Sequence, residues 1–197
     1  MVSIDDVRDA LADSGSRNKW IGVWIGVLAA LLAVCVMGGD NAAKDANRAN
    51  IDASNTWAFF QAKNIRRNDI RLVADQFEMM LLAQPDLRPE ARTTIEGKIK
   101  SYRDTAQLYT TEPKTGEGLD ELFAKAKSIE ADRDRALRKD PYFDLAQALL
   151  QIAIVLASVA IIAGTDLLFF LSLGVGALGT LLMLNGYALA LAIPGIG

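Results

Sequence analysis

Three runs without a charged residue, Trp20 to Gly39, Leu145 to Thr165 and Leu167 to the C-terminus, constrain this chain more than any other feature of its sequence. Each holds at least the roughly 20 residues that a helix needs to cross about 30 Å of hydrocarbon. A backbone away from water must satisfy its own N–H and C=O groups, and a helix does so within one segment. The runs therefore predict three transmembrane helices, at residues 20–39, 141–165 and 166–190. Charge gathers between the first two, since 18 of the 21 Lys and Arg lie between Lys44 and Lys139, with acidic residues interleaved. Residues 40–140 read as a helical extramembrane domain, residues 1–19 as an N-terminal segment and residues 191–197 as a C-terminal tail. The expected fold class is an all-α membrane protein, with a coiled-coil-like helical domain inserted between its first and second spans.

The 21 basic and 24 acidic residues leave a net charge of -3, which points to no nucleic-acid partner. There is no histidine, and the one cysteine, Cys35, lies inside the first apolar run. His/Cys zinc sites, histidine-ligated haem and disulfides within the chain are excluded, so no metal, cofactor or catalytic residue is assigned. The usual proton shuttle near neutral pH is missing too, which argues against an enzyme. Arg17 and Lys19 before the first run and Ala42-Ala43 after it are compatible with a cleavable signal peptide, but the run's length and its polar lead-in favour a signal anchor.

Small residues mark the expected contact faces. Gly22, Gly26 and Ala30 share one side of the first span, where close approach of another helix is possible. Ala46, Ala49 and Ala53 continue from Ala42 as a seam beyond it, and Trp57 and Phe60 extend that side. Ala153 and Ala157, followed by Ala160, line the second span, and Ser172, Gly176 and Thr180 line the third. Asn185, deep in the last run, reads as the donor of a helix-helix hydrogen bond or as a ligand position. Trp20 and Trp24 are expected to set their indoles at the headgroups.

Local signals divide the remainder. Ile4, Val7 and Leu11 oppose Asp5, Asp6, Arg8 and Asp9, so residues 1–18 are either an amphipathic helix ending at Ser14-Gly15-Ser16 or a frayed tail. One long helix, free of Pro and Gly, is expected from Asp40 to Gln84, with a second apolar face at Ile70, Val73, Phe77 and Met80. Pro89 suits the first position of the next helix, whose seam is Ile95, Ile99, Tyr102, Ala106 and Tyr109. Glu112 to Gly118 breaks the chain before a helix with the seam Leu119, Leu122, Ala126 and Ile129. Asp140-Pro141 reads as the N-cap and first position of the second span, and Gly164-Thr165-Asp166 as a tight hairpin turn.

The segments ASNTWAFFQAKNIR, residues 53 to 66, and EPKTGEGLDELFAKAKSIEADRDRALRKDPYFDLAQALLQIAIVLAS, residues 112 to 158, resemble an uncharacterised bacterial inner-membrane family, domain of unknown function 4337. The resemblance covers most of the chain. It implies one span, a helical extramembrane domain and a two-span hairpin, in a bacterial inner membrane, and it implies no catalytic residue, cofactor or substrate. Family members tend to carry basic residues in the hairpin turn, which would place that turn in the cytoplasm and the middle domain in the periplasm. Gly164-Thr165-Asp166 departs from that pattern. Arg17 and Lys19 favour the same orientation, while Arg133, Arg135, Arg138 and Lys139 favour the reverse, and the rule weakens for so long an intervening segment.

Three function classes follow. The first is a non-enzymatic structural or accessory membrane protein, in contact with the lipid bilayer, that forms a homo-oligomer or docks on a membrane-protein partner. The alternative is an oligomeric channel or transporter component using Gln147, Gln151, Ser172, Thr180 and Asn185, although no charged side chain lies within the three apolar runs. An enzyme is third. The cluster Trp57, Phe59, Phe60, Gln61, Lys63 and Asn64 has the helical spacing of a packing face, and Glu130, Asp132 and Asp134 read as a solvated one.

Overall fold

The computed structural model describes the backbone of residues 4–194 and the side chains from Arg17 to Pro194. Four helices make it up: α1 (Ile4–Ala83), α2 (Pro89–Thr110), α3 (Leu119–Ala163) and α4 (Asp166–Ala188). Among the described residues there is no strand. Helices α1, α3 and α4 are each long and apolar enough to cross a membrane.

Two breaks expected from the sequence are absent. Ser14-Gly15-Ser16 does not end a helix, because α1 is continuous through it from Ile4. Each unfavourable residue there costs at most about 1 kcal/mol, too little to stop a helix that propagates into a long apolar run. The expected apolar stripe of Ile4, Val7 and Leu11 lies outside the described side chains. Asp140-Pro141 does not begin a helix either, since Pro141 lies inside α3. Tyr142 and Phe143 beside it are almost completely buried, and that packing offsets the roughly 3 kcal/mol that an interior proline costs. The other boundaries follow their local signals. Pro89 opens α2 where its missing N–H is not needed, and Gly164, at φ 64°, supplies the left-handed residue between α3 and α4.

The chain forms two compact units, Met1–Ala46 with Asp134–Gly197, and Asn47–Arg133. In the first, the core is Leu28, Cys35, Ala42, Phe143, Ala146, Leu150, Ala153 and Met183. Among the buried positions of α1 here, Ile21, Leu28, Cys35 and Ala42 recur every seventh residue, the period that keeps one helix face on its neighbours, and Gly38 and Ala46 add to that face. In α4 the buried Ser172, Gly176, Gly179, Met183 and Gly186 alternate steps of four and three, and Asn185 is buried beside the last of them. Glycine lets the backbones meet. A Cβ on Gly38 would come within 2.6 Å of Phe143 Cε1, and one on Gly176 within 2.9 Å of Leu28 Cδ2.

In the second unit, α2 and the first turns of α3 pack on the distal part of α1. Ile99 and Ala106 of α2 and Leu119, Leu122 and Ala126 of α3 are buried on their expected seams. Phe77 stacks on Tyr102 with ring centroids 6.1 Å apart, and Trp57, Phe60 and Phe123 form an edge-on aromatic cluster. The connection from α2 to α3 is closed by its own side chains. Thr111 donates to Asp120 at 2.6 Å, and the Glu112 N–H donates to the Glu121 carboxylate at 3.2 Å.

Candidate functional site

In the first unit the small residues fall into two sets. Ala153, Ala157, Ser172 and Gly176 are fully or almost fully buried within the chain's own packing, and Thr180 is half-buried, with its hydroxyl donating to the Gly176 carbonyl at 2.8 Å. Ser172 joins three helices. Its Oγ accepts the indole N–H of Trp24 on α1 at 3.0 Å and donates to the carbonyl of Ala153 on α3 at 2.7 Å. Trp24 therefore spends its N–H inside the unit and not at a headgroup. Gly22, Gly26 and Ala30, by contrast, are exposed, and a Cβ on either glycine would meet nothing within 4 Å.

The remaining polar positions of this unit are occupied locally. Among the described residues Asn185 makes no helix-helix bond. Its amide donates to the Leu191 carbonyl at 2.8 Å and accepts the Leu191 N–H at 2.9 Å, holding the chain as it leaves α4 through left-handed Leu189. Tyr142 also donates to the Leu191 carbonyl, at 3.1 Å. Gln147 is half-buried and Gln151 is exposed. At the other end of the unit Arg17 pairs with Asp166 at 3.2 Å, so the start of the first apolar run and the turn between α3 and α4 lie side by side.

Most of the unit's apolar surface faces outward. In the most apolar 18-residue windows of α1, α3 and α4 only 22%, 28% and 22% of the residues are buried, so the three helices turn a hydrocarbon-like surface away from one another. Water would penalise such a surface; lipid would not.

The second unit has a comparable outward face. The alanine seam turns inward, with Ala46 buried in the first unit, Ala53 buried in the second and Ala49 half-buried. The opposite side of α1 carries Ile51, Ala58, Ile65, Leu72 and Met79, again at every seventh position. These side chains are open: Ile51 is 60% exposed, Ile65 60%, Leu72 59% and Met79 65%. A surface helix bathed only in water would place polar residues there. The seven-residue repeat was readable in the sequence, but the alanines nearby share the same period and drew the seam to themselves.

Part of the aromatic-amide cluster is packed, while Phe59 is 42% exposed. Trp57 donates to Glu130 at 2.9 Å, Asn64 accepts from Arg67 at 2.8 Å, Gln61 is exposed, and Lys63 is buried against Glu112 at 3.2 Å with its ammonium 5.4 Å from the Tyr109 ring centre. Lys63 also donates to the Glu117 carbonyl. Lys127 donates to the second oxygen of Glu130 at 2.8 Å, and these two hydrogen bonds, Lys127 first and Trp57 second, hold the Glu130 carboxyl below the usual carboxylate range. Among the described residues no group of three or more His, Cys, Asp or Glu side chains is placed to hold a metal ion.

The family described as "Domain of unknown function (DUF4337)" matches residues 17–189. No curated protein and no solved structure matches the chain.

Proposed function

The chain belongs to the DUF4337 family, a domain of unknown function, and from that premise we propose that it is a structural or accessory integral membrane protein without enzymatic activity. It self-associates, or docks on a larger membrane complex, through faces of α1 that its own fold leaves open. The observation that carries this reading is the outward stripe Ile51, Ala58, Ile65, Leu72 and Met79, five residues at a spacing of seven. A repeat of that period is what a neighbouring, supercoiled helix requires. The open Gly22, Gly26 and Ala30 face supplies a second approach surface in the apolar part of the same helix.

The topology that goes with it is three spans in a bacterial inner membrane, with Arg17 and the hairpin turn at one surface. Arg17 and Lys19 assign that surface to the cytoplasm, which makes the middle domain periplasmic. A channel is less well supported, because Ser172, Thr180 and Asn185 each spend their hydrogen bonds within the chain. Crosslinking in native membranes, together with the mass of the particle in a mild detergent, tests the proposal. A strictly monomeric particle with no crosslinked copy or partner would overturn it.

A further inference from the structure

We propose that the groove between α1 and α2 in the second unit binds an anion of the phosphate type. The groove has a volume of about 520 Å³ and is lined by three arginines, Arg67, Arg71 and Arg103. Arg67 and Arg71 stand one turn apart on α1, a like-charge spacing that destabilises a helix unless something neutralises it. The fold supplies little for that purpose. Asp75, one turn beyond Arg71, is the one acidic residue in the lining and makes no ion pair among the described residues, and Glu78 is engaged by Arg103. Arg71 has no hydrogen-bond or ion-pair partner among the described residues.

The donors outnumber what the protein itself can satisfy. Arg67 gives one hydrogen bond from Nη2 to Asn64 at 2.8 Å and one from Nη1 to Thr110 at 3.4 Å, which leaves a second hydrogen on each of these nitrogens. Gln107 and Thr110 on α2 face the same space, above a floor of buried Ala74 and Ala106 that keeps it open. A planar guanidinium fork fits the paired oxygens of a phosphate, and several of them fit a group carrying more than one charge. The volume accommodates a diphosphate or a phospholipid headgroup. This inference does not depend on the association reading.

Arginine-selective labelling of the full chain with phenylglyoxal, mapped by mass spectrometry, tests it. Inorganic pyrophosphate added to detergent-solubilised protein should slow labelling of Arg71 and Arg103 but not of Arg88, which lies outside the groove; that result assigns a soluble phosphate compound. Protection only after reconstitution into phosphatidylcholine nanodiscs containing phosphatidic acid assigns a lipid headgroup. Protection by neither overturns the proposal. Arg71→Gln, whose helicity is checked by circular dichroism, should raise the half-protecting concentration for Arg103 about tenfold, as expected for losing one charge-assisted contact. An unchanged value would overturn it equally.

Discussion

The indole N–H of Trp24 and the hydroxyl of Ser172 meet at 3.0 Å across α1 and α4. The hydroxyl hydrogen goes on to the Ala153 carbonyl, so one side chain ties three helices. Ser172→Ala leaves the indole without its acceptor in an apolar setting, and it should lower stability by about 1–2 kcal/mol. Equilibrium unfolding of the detergent-solubilised chain measures this, and an unchanged midpoint would contradict the assigned geometry.

Glycines at inner and outer positions should behave differently. Gly38→Ala drives a methyl into the Phe143 ring and the Tyr187 hydroxyl and should cost about 1–3 kcal/mol. Gly22→Ala, which meets open space, should leave the fold intact. Thermal unfolding of the two variants side by side gives the comparison; equal losses would show that the two faces are not distinct.

The exposed stripe on α1 predicts a separation of folding from assembly. Ile65→Lys with Leu72→Lys places two charges at side chains that the described fold leaves 60% and 59% exposed, so helicity should be retained while the particle mass in mild detergent falls. Loss of helicity with the mass would mean that the stripe belongs to the core.

Pro141 lies inside α3, where it provides no N–H to the preceding turn. Pro141→Ala restores that donor and should raise stability by about 1–3 kcal/mol. At the first position of a separate helix the same change would have little effect, so a null result would restore the break at Asp140.

Lys127 and Trp57 depress the pKa of Glu130, which gives this site a signed pH dependence. Between the folded and the unfolded pKa the unfolded chain binds the extra proton. The stabilisation is therefore complete above the ordinary glutamate value and disappears as pH falls through the lower folded value. The stability difference between the parent chain and Glu130→Gln should shrink as pH drops from about 6 to about 3. A difference independent of pH would mean that the carboxylate is not held as described.

Apolar length and periodicity made the helices legible in the sequence, and local chemistry made the turns at Pro85 and Gly164 legible. The errors came where a local signal met tertiary packing. Pro141 looked like a start because proline favours one, yet the burial of Tyr142 and Phe143 carries the helix through it. Asn185 looked like a link between helices because an amide in an apolar run needs a partner, and the partner proved to be backbone six residues on. Small residues show where helices can approach, but not whether the neighbour is in the same chain. Ser172 and Gly176 are used internally while Gly22 and Gly26 are not, a division that only the three-dimensional packing reveals.

Cys35 is fully buried, with its thiol against the Phe143 carbonyl at 3.4 Å. To a water-soluble maleimide the folded protein is therefore effectively without a thiol. With Lys114→Cys, in the exposed connection between α2 and α3, the new thiol would be the reactive one, and on the proposed three-span topology its labelling in intact cells would report the side of the membrane on which that connection lies.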